Sequence, residues 1–136
     1  MRLHGSAAAF LFALPLLTVA LPAAAQTDAA LAARFKDGKF VMRDGEAIYK
    51  NICQGCHMSD AKGAQGSGIY PALAGNPKLT VAAYPIRVIL KGQKGMPPLG
   101  AYFDDAQVAA VVGYIRTHFD NHYAGAVTAQ DVHAQR

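Results

Sequence analysis

The sequence has no tryptophan, only two cysteines and few large apolar side chains. Leucine, isoleucine, valine and phenylalanine supply 23 of the 111 residues from 26 to 136, close to the level of roughly 20% at which disorder becomes a serious interpretation. Alanine contributes much of the 52% apolar content but buries little area. The chain is therefore too poor in large side chains to fill a substantial core alone, and its formal charge of +4 says little about its partners.

Residues 1–25 have the pattern of a secretory signal peptide. Arg2 supplies the positive charge, residues 7–21 form an apolar run, and residues 23–25 are small, as signal peptidase requires before its cleavage site. The run is shorter than the approximately 20 apolar residues that a membrane-spanning helix needs. We therefore predict a periplasmic protein that begins at Gln26 after cleavage and has no membrane span in its mature form.

Cys53, Cys56 and His57 form a Cys-x-x-Cys-His motif. Two thiols at this spacing on a helical turn can each form a thioether with a vinyl group of haem, and the next residue then places an imidazole at the iron. A disulfide across so short a loop would be a weak structural staple, because it removes little chain entropy. A thioredoxin-like redox motif normally lies in a βαβ unit, which the flanking sequence does not predict. Zinc needs four ligands, and this chain has only two thiols. The motif favours covalent attachment of one haem.

The periodicity of the flanking segments predicts helices. Residues 44–52 begin with Asp44, which is suited to N-capping, and run directly into Cys53. A shorter helix is expected over residues 86–91, ended by Gly92. No segment shows sustained alternation of apolar and polar residues, so we predict an all-α fold without a sheet.

The strongest helix signal covers residues 104–119. Asp104 and Gln107 have the spacing of a capping box, and the apolar residues that follow form a stripe along one face. Gly113 in the interior costs about 1 kcal/mol relative to alanine. That cost is tolerable if another backbone packs close to this glycine.

Two glycine- and proline-rich loops, residues 59–78 and 92–103, are long for a small helical domain, and such loops are usually functional or disordered. Wrapping a flat cofactor would order both. Met96 lies on the second loop, 39 residues after His57, and could reach the opposite face of a haem. A thioether there stabilises ferrous iron relative to an imidazole. We predict His57 and Met96 as the two axial ligands of the haem iron.

Other side chains are weaker candidates for the second axial position. Met58 is adjacent to His57 and would be on the wrong side of the haem, whereas Met42 precedes the helix that carries the cysteines. The alternative for Met96 is that its side chain packs on the porphyrin without binding the iron. Three histidines lie on the polar side or beyond the end of the last helix, where a solvated imidazole is the commoner state: His118, His122 and His133.

These motifs, in this order, resemble those of class I cytochromes c over about residues 42–119. The matching positions are Gly45 and Tyr49, the Cys-x-x-Cys-His motif, Tyr-Pro-Ala-Leu at 70–73, Met-Pro at 96–97, and Tyr114. The fold of that family has three to five helices around one covalently attached haem, with the first and last helices crossing. The resemblance implies that Gly45 lets the last helix approach closely near Tyr114, with Tyr49 packed beside them.

The resemblance also implies roles for the first loop. The carbonyl of Pro71 would accept a hydrogen bond from Nδ1 of His57, fixing the orientation and basicity of the ring, and Leu73 would lie against the porphyrin. With both axial positions filled, the implied chemistry is one-electron transfer. Four lysines flank the haem-bearing segments and could steer an acidic partner: Lys50, Lys62, Lys91 and Lys94.

A narrower resemblance is to single-haem domains of the cytochrome subunits that serve bacterial membrane-associated dehydrogenases of alcohols, gluconate and related sugars. It rests on residues 71–77, 86–92 and 114–121, and on Val127, Thr128 and Val132. Those subunits commonly have three haem domains, whereas this chain has one motif. The resemblance therefore leaves two interpretations, a subunit of such a complex and a free carrier.

The expected protein is a periplasmic monohaem carrier, not an enzyme, that passes electrons from a dehydrogenase to an oxidase or another cytochrome. The first alternative is a haem enzyme or gas sensor with a labile distal ligand, and a weaker one is a thiol–disulfide oxidoreductase. No nucleic-acid partner is expected. The domain boundaries are a partly helical lead over 26–41, a cytochrome c domain over 42–119, and a loose or surface-docked tail over 120–136.

Overall fold

The computed structural model describes residues 29–30, 32–66 and 68–136, so the predicted signal peptide lies outside the described residues. The helical elements are α1, Gly45–Ile48; a π-helical turn, Tyr49–Cys53; α2, Gln54–His57; a 3-10 helix, Pro77–Thr80; α3, Ala83–Lys91; α4, Asp105–Thr117; and α5, Ala129–His133. The strands are β1, Phe35–Lys36; β2, Lys39–Phe40; β3, Ala64–Gln65; and β4, Ile69–Tyr70. Within the described residues, no helix combines the length and apolarity needed to cross a membrane.

The strands form two antiparallel hairpins, which corrects the expectation of an all-α chain without a sheet. In the first hairpin Phe35 lies opposite Phe40, and in the second Ala64 lies opposite Tyr70. Each strand has only two residues, so there is no room for the alternation by which a half-buried strand is recognised. The described chain is mainly helical with a small amount of sheet.

The first helical elements form one uninterrupted path from Gly45 to His57. Asp44 caps it, since its Oδ1 accepts a hydrogen bond from the backbone N of Ala47 at 2.9 Å, which confirms the predicted start. The helical path continues beyond residue 52, through both cysteines, by way of the π-helical turn. Such turns are rare in proteins overall, and those that occur are frequently found at functional sites.

Helix α4 begins with the predicted capping box. Asp104 Oδ1 accepts from Gln107 N at 2.9 Å, while Gln107 Oε1 accepts from Asp104 N at 2.8 Å. The helix ends at Thr117 rather than at Phe119, because Phe119 has a φ of +59° and begins a turn. No backbone packs close to Gly113, since a Cβ there would meet nothing within 4 Å, so the condition that would explain this glycine is not met.

Helices α1 and α4 cross in close contact at Gly45. A Cβ on Gly45 would lie 2.3 Å from Ala110 O and 2.9 Å from Tyr114 Cβ, so a larger residue would force the helices apart. Tyr49 packs beside the crossing, with its ring centroid 5.8 Å from that of Tyr114 and 4.7 Å from that of Phe119. The predicted close approach and the packing of Tyr49 are both confirmed.

The segment after α4 is docked on the domain, so the alternative of a loose tail is wrong. Thr128 begins α5 with a capping box to Asp131, and Val132 is fully buried in the core. The guanidinium of Arg116, a buried side chain of α4, donates to four main-chain carbonyls: Leu79, Thr80, Ala124 and Gly125. This side chain therefore ties the tail to the 3-10 helix.

The lead before α1 is also attached to the domain. Residues 29, 30 and 32 are helical, and the first hairpin follows them. The ring of Phe40 lies 4.7 Å from that of Phe103, and Gln107 Nε2 donates to Phe40 O at 2.7 Å and to Met42 O at 2.6 Å. The N-terminal end of the described chain thus packs against Phe103 and the first turn of α4.

Candidate functional site

The two cysteines lie on consecutive helical elements. Cys53 ends the π-helical turn and is partly buried, whereas Cys56 in α2 is exposed, and both thiols are free. Burial raises the pKa of the Cys53 thiol to about 12. Because the thiolate is the reactive form in thiol–disulfide exchange, Cys53 is a poor nucleophile at neutral pH. This weighs against the oxidoreductase alternative.

His57 ends α2, and its ring is held by the first loop. The side chain is only 9% exposed, and its Nδ1 lies 2.9 Å from the carbonyl oxygen of Pro71, so the hydrogen bond expected from the resemblance is present. A carbonyl only accepts hydrogen bonds, so this network assigns the proton to Nδ1 and leaves a lone pair on Nε2. Among the described residues Nε2 has no hydrogen-bond partner. The ring is therefore oriented as a metal ligand requires, with its proton on Nδ1 and its lone pair on Nε2.

The chain reverses sharply after His57. Met58 has φ and ψ of +65° and +163°, a region that residues other than glycine rarely adopt, and its carbonyl accepts from the Tyr49 hydroxyl at 2.8 Å. The buried Ala61 has a φ of +59°, and its carbonyl accepts from Leu73 N at 2.7 Å. These contacts fold the first loop back toward the imidazole.

Gly63 lets the two branches of this loop cross. Its φ is +69°, and a Cβ would lie 2.1 Å from Tyr70 O and 2.8 Å from the carbonyl carbon of Pro71. The backbone N of Gly63 also donates to His57 O at 3.1 Å. The Pro71 carbonyl thus reaches the imidazole because no side chain stands at the crossing.

Asn121 braces the same loop from behind and was not predicted as a site residue. It is fully buried, and its Nδ2 donates to Leu73 O and to Ile115 O at 2.8 Å each. Its Oδ1 accepts from the backbone N of Asn76 at 3.0 Å. The side chain therefore joins the loop that carries Pro71 and Leu73 to the end of α4.

Met96 lies on a tight turn of the second loop and is partly buried against the core. Its backbone N and O form reciprocal 3.0 Å hydrogen bonds with Gln93. Gly92, with a φ of +76°, makes the turn possible, because a Cβ there would lie 2.7 Å from Met96 O. Beyond the two prolines, Leu99 N donates to Ile89 O at 2.8 Å and returns the loop to α3.

The alternative histidines His118, His122 and His133 are exposed, as the sequence suggested. The His118 ring stacks on Tyr114 with centroids 4.1 Å apart, and His133 Nδ1 lies 3.2 Å from Asp105 Oδ2. In the part of the chain that the structure describes, no three His, Cys, Asp or Glu side chains are grouped to hold a metal ion. A tetrahedral zinc site of protein ligands is therefore absent from these residues.

All four lysines that flank the candidate site are exposed: Lys50, Lys62, Lys91 and Lys94. The Nζ of Lys50 lies 2.6 Å from Glu46 Oε1, and that of Lys62 lies 3.9 Å from Asp60 Oδ2. Lys91 Nζ donates to the main-chain O of Arg136, the last residue, at 2.7 Å. Of the four lysines, Lys94 is therefore the one without a hydrogen-bond or carboxylate partner among the described residues.

The chemistry of this donor set fits a haem. One partly buried and one exposed thiol stand three residues apart on a helix, and the next side chain is an imidazole with an available Nε2 lone pair. The thioether of Met96 lies on a separate, tightly turned loop. Thiols can bond covalently to the vinyl groups, and imidazole and thioether are common axial ligands of haem iron.

The mainly helical fold and this donor set define the class as a haem-binding cytochrome domain. A family model described as "Cytochrome C oxidase, cbb3-type, subunit III" matches residues 40–115, more than half of the chain. The chain belongs to the cytochrome c family.

Three curated relatives are cytochrome subunits of dehydrogenases. The "Fructose dehydrogenase cytochrome subunit" of Gluconobacter japonicus is 33% identical over 93 residues, covering 57% of this chain and 19% of the relative. The "Gluconate 2-dehydrogenase cytochrome c subunit" of Pantoea cypripedii is 32% identical, covering 68% of this chain and 24% of the relative. The corresponding values for the "Alcohol dehydrogenase (quinone), cytochrome c subunit" of Gluconobacter oxydans are 29%, 68% and 22%.

The chain thus spans about a fifth to a quarter of the length of these relatives. Both resemblances stated from the sequence, to cytochromes c and to dehydrogenase cytochrome subunits, are confirmed.

Proposed function

We propose that this chain is a monohaem c-type cytochrome of the class I fold that carries single electrons and is not itself an enzyme. Cys53 and Cys56 hold the porphyrin through thioethers, and His57 and Met96 are the axial ligands. The observation that carries the proposal is the His57–Pro71 hydrogen bond beside two free thiols, because it leaves Nε2 as the ligand atom. Haem, when bound, supplies reversible one-electron Fe(III)/Fe(II) chemistry.

The residues of the chain keep the two ligands in place. The carbonyl of Pro71 holds the orientation of the imidazole and would increase its basicity as a ligand, and Leu73 on the same loop would pack against a bound porphyrin. On the other side, the reciprocal hydrogen bonds with Gln93 hold the backbone of Met96. Rigid placement of both ligands keeps structural reorganisation between the oxidation states small, and two filled axial positions leave no site for a substrate.

The proposed location and partners follow from the sequence pattern and from the names of the relatives. Residues 1–25 direct export and are cleaved, residues 42–119 form the haem domain, and the mature protein works in the periplasm. A dehydrogenase donates electrons, as the cytochrome subunits among the relatives suggest, and an oxidase or another cytochrome accepts them. The positive charge of Lys94, on the loop that carries Met96, steers an acidic partner, and salt weakens the attraction over about 8–10 Å.

An optical and chemical study of the protein matured with haem tests the cofactor assignment. The haem should remain with the polypeptide after extraction with acidified acetone, and it should become extractable when Cys53 and Cys56 are both replaced by serine. The ferric protein should have the weak red absorption band of sulfur ligation. Ready binding of carbon monoxide by the reduced protein would instead support an enzyme or sensor with a labile distal ligand.

The identity of the distal ligand is tested by Met96→His. Replacing a thioether by an imidazole removes the preference for ferrous iron, so the reduction potential should fall and the red band should disappear. Met42→His is the matched control, because Met42 is also partly buried but lies before α1, and its replacement should leave both properties unchanged. An unaltered potential in Met96→His would show that another residue is the ligand.

The donor is tested by purifying the native protein without tags and identifying what remains bound. A dehydrogenase that co-purifies and reduces the haem at low ionic strength supports the proposed partner. Retention of the haem protein by an unrelated complex, with no reduction by a dehydrogenase, would contradict it.

A further inference from the structure

The loop that carries Met96, residues 92–103, ends in four consecutive residues, 100–103, whose main-chain carbonyls accept hydrogen bonds from distant parts of the chain. We call these residues the carbonyl row. Two of its acceptors are bound from the C-terminal side: Arg136 Nη1 donates to Gly100 O and Arg136 Nη2 donates to Phe103 O, both at 2.8 Å. The planar guanidinium thus spans both ends of the row with a single side chain.

The other two carbonyls are bound from the N-terminal side. Lys39 Nζ donates to Ala101 O at 3.2 Å, and the backbone N of Phe40 donates to Tyr102 O at 3.0 Å. Both donors belong to strand β2 of the first hairpin. The two segments that flank the predicted haem domain therefore meet on one short turn.

Arg136 is itself held in place. Its Nε lies 2.5 Å from Asp105 Oδ1 at the start of α4, and its main-chain O accepts from Lys91 Nζ at 2.7 Å. Asp105 also accepts from His133 of α5 at 3.2 Å. Arg136 is thus fixed to α4 through its guanidinium and to α3 through its main chain, while the remaining guanidinium nitrogens bind the row.

A displacement of the row would reach Met96 through a stiff connection. Pro97 and Pro98 follow Met96 directly, and proline fixes φ near −65°, so these residues have little freedom to absorb a shift. Leu99 links both sides, because its carbonyl accepts from Tyr102 N at 3.0 Å and its N donates to Ile89 O. These restraints couple a displacement of the row to Met96.

From these contacts we infer that Arg136 is a positioning residue for the distal ligand. By binding the carbonyls of Gly100 and Phe103, and with Lys39 on the opposite side, it holds the loop so that Met96 stays on the haem iron and external ligands are kept off. The inference rests on the proposed function, since it takes Met96 as the ligand. It also assigns a role to the segments on either side of the predicted haem domain, residues 26–41 and 120–136. The sequence alone suggested no role for them.

The test is the displacement of Met96 by imidazole in the ferric haem protein, followed by loss of the red band. Arg136→Gln should strengthen the apparent imidazole affinity about tenfold, equivalent to about 1.4 kcal/mol, because the loop opens more easily. Arg87→Gln is the matched control, since Arg87 is an exposed arginine of α3 with no hydrogen bond to the row, and it should change nothing. Lys39→Gln should give a smaller change in the same direction.

The conservative variant Arg136→Lys separates the role of the two guanidinium hydrogen bonds, to Gly100 O and Phe103 O, from that of the positive charge. A lysine can still face Asp105 but cannot reproduce the planar contacts with both carbonyls, so imidazole affinity should remain raised. Full recovery of the wild-type affinity would overturn the assigned role of the row. An unchanged affinity in both Arg136→Gln and Lys39→Gln would overturn it as well.

Amide hydrogen exchange over residues 92–103 gives a second readout that does not depend on the axial ligand. Arg136→Gln should accelerate exchange there, whereas Arg87→Gln should not. If the wild-type protein lacks the red band, the assignment of Met96 fails, and the exchange rates alone decide whether Arg136 holds the loop. Equal exchange rates in wild-type protein and Arg136→Gln would contradict the inference whether or not Met96 is the ligand.

Discussion

The loop that contacts His57 and the loop that carries Met96 are held in different ways. The proximal loop, residues 59–78, is braced from inside by Asn121, which is fully buried and has three hydrogen bonds. The distal loop, residues 92–103, is braced at the surface by Arg136, whose side chain is 35% exposed. Buried hydrogen bonds are costly to break, whereas exposed charged contacts are weak and depend on solvent. We therefore expect a proximal side that is nearly fixed and a distal side that responds to its surroundings.

The same contrast is visible in the backbone at the ends of two helices. Met58 after α2 has φ and ψ of +65° and +163°, and Gly92 after α3 has nearly the same values, +76° and +165°. Glycine adopts this region without strain, whereas a side chain there costs of order 1–3 kcal/mol. The proximal turn therefore contains strain at Met58 that its surroundings must balance, whereas Gly92 takes the same backbone conformation without that cost.

The largest effect should come from the proximal brace. Asn121→Leu keeps the branched arrangement of heavy atoms but leaves Leu73 O, Ile115 O and Asn76 N without their partner in the interior. The free energy of unfolding of the haem-bound protein should fall by about 3 kcal/mol in a denaturant titration. Asn51→Leu is the control, because Asn51 is exposed and has one side-chain hydrogen bond, to Ala47 O. A loss below about 1 kcal/mol would mean that the proximal loop does not depend on Asn121.

The distal turn should be next in sensitivity. Gly92→Ala puts a Cβ 2.7 Å from Met96 O in a backbone region that alanine avoids, so stability should fall by about 2 kcal/mol. Imidazole should also displace Met96 more easily than in wild-type protein. Gly95→Ala serves as the control on the same loop, because a Cβ there meets nothing within 4 Å and its φ is not positive. Equal stability of the two variants would contradict the strained-turn argument.

The strain at Met58 is tested by comparing two replacements that both remove the side chain. Met58→Gly should be more stable than Met58→Ala by about 1 kcal/mol, because only glycine relieves the strain at this φ and ψ. The ordinary order is the reverse, since glycine loses more conformational freedom on folding. Thermal unfolding of the two haem-bound variants measures the difference, and a more stable alanine variant would show that the turn is unstrained.

The smallest expected effect is a response of the distal side to acid. The Arg136 guanidinium beside Asp105 holds the pKa of that carboxyl below its ordinary value, with a further contribution from His133. A lowered pKa in the folded state means that this carboxylate stabilises the fold above the pKa of the unfolded chain. The contribution is lost as the pH falls through the lowered value. The protection of backbone amides in residues 92–103, corrected for intrinsic exchange rates, should therefore fall below about pH 4, which is near the ordinary pKa of aspartate.

Asp105→Asn should remove this pH response of the distal side. The brace at Asn121 has no titratable group, so amide exchange in residues 59–78 should change little over the same pH range. A pH response that persists in Asp105→Asn would assign it to another group.

The sequence predicts best the features whose partners lie near in the chain. The caps at Asp44 and Asp104 were predicted because the donor and acceptor are three residues apart, and the close approach at Gly45 followed from the family pattern. The hydrogen bond between His57 and Pro71 was available from the same pattern. The assignment of His57 and Met96 as iron ligands remains a prediction from the motif.

Features that depend on distant partners left no signal that the sequence alone could interpret. Asn121 and Arg136 bind main-chain atoms 45, 48, 36 and 33 residues away, and main-chain atoms carry no sequence information. A docked tail and a loose one have the same composition, and the burial of Val132 distinguishes them. The two hairpins were missed because strands of two residues have no periodicity.

The carbonyl row has a consequence for the use of this domain as a portable part. A fragment confined to residues 42–119 would keep the haem motif and Met96, but it would lack the hairpin donors, Asn121 and Arg136. Fused to another protein, such a fragment could still take up haem while its distal loop opened freely, which is the behaviour of a ligand-binding site rather than a carrier. A graft intended to conduct electrons should therefore include residues 34–136.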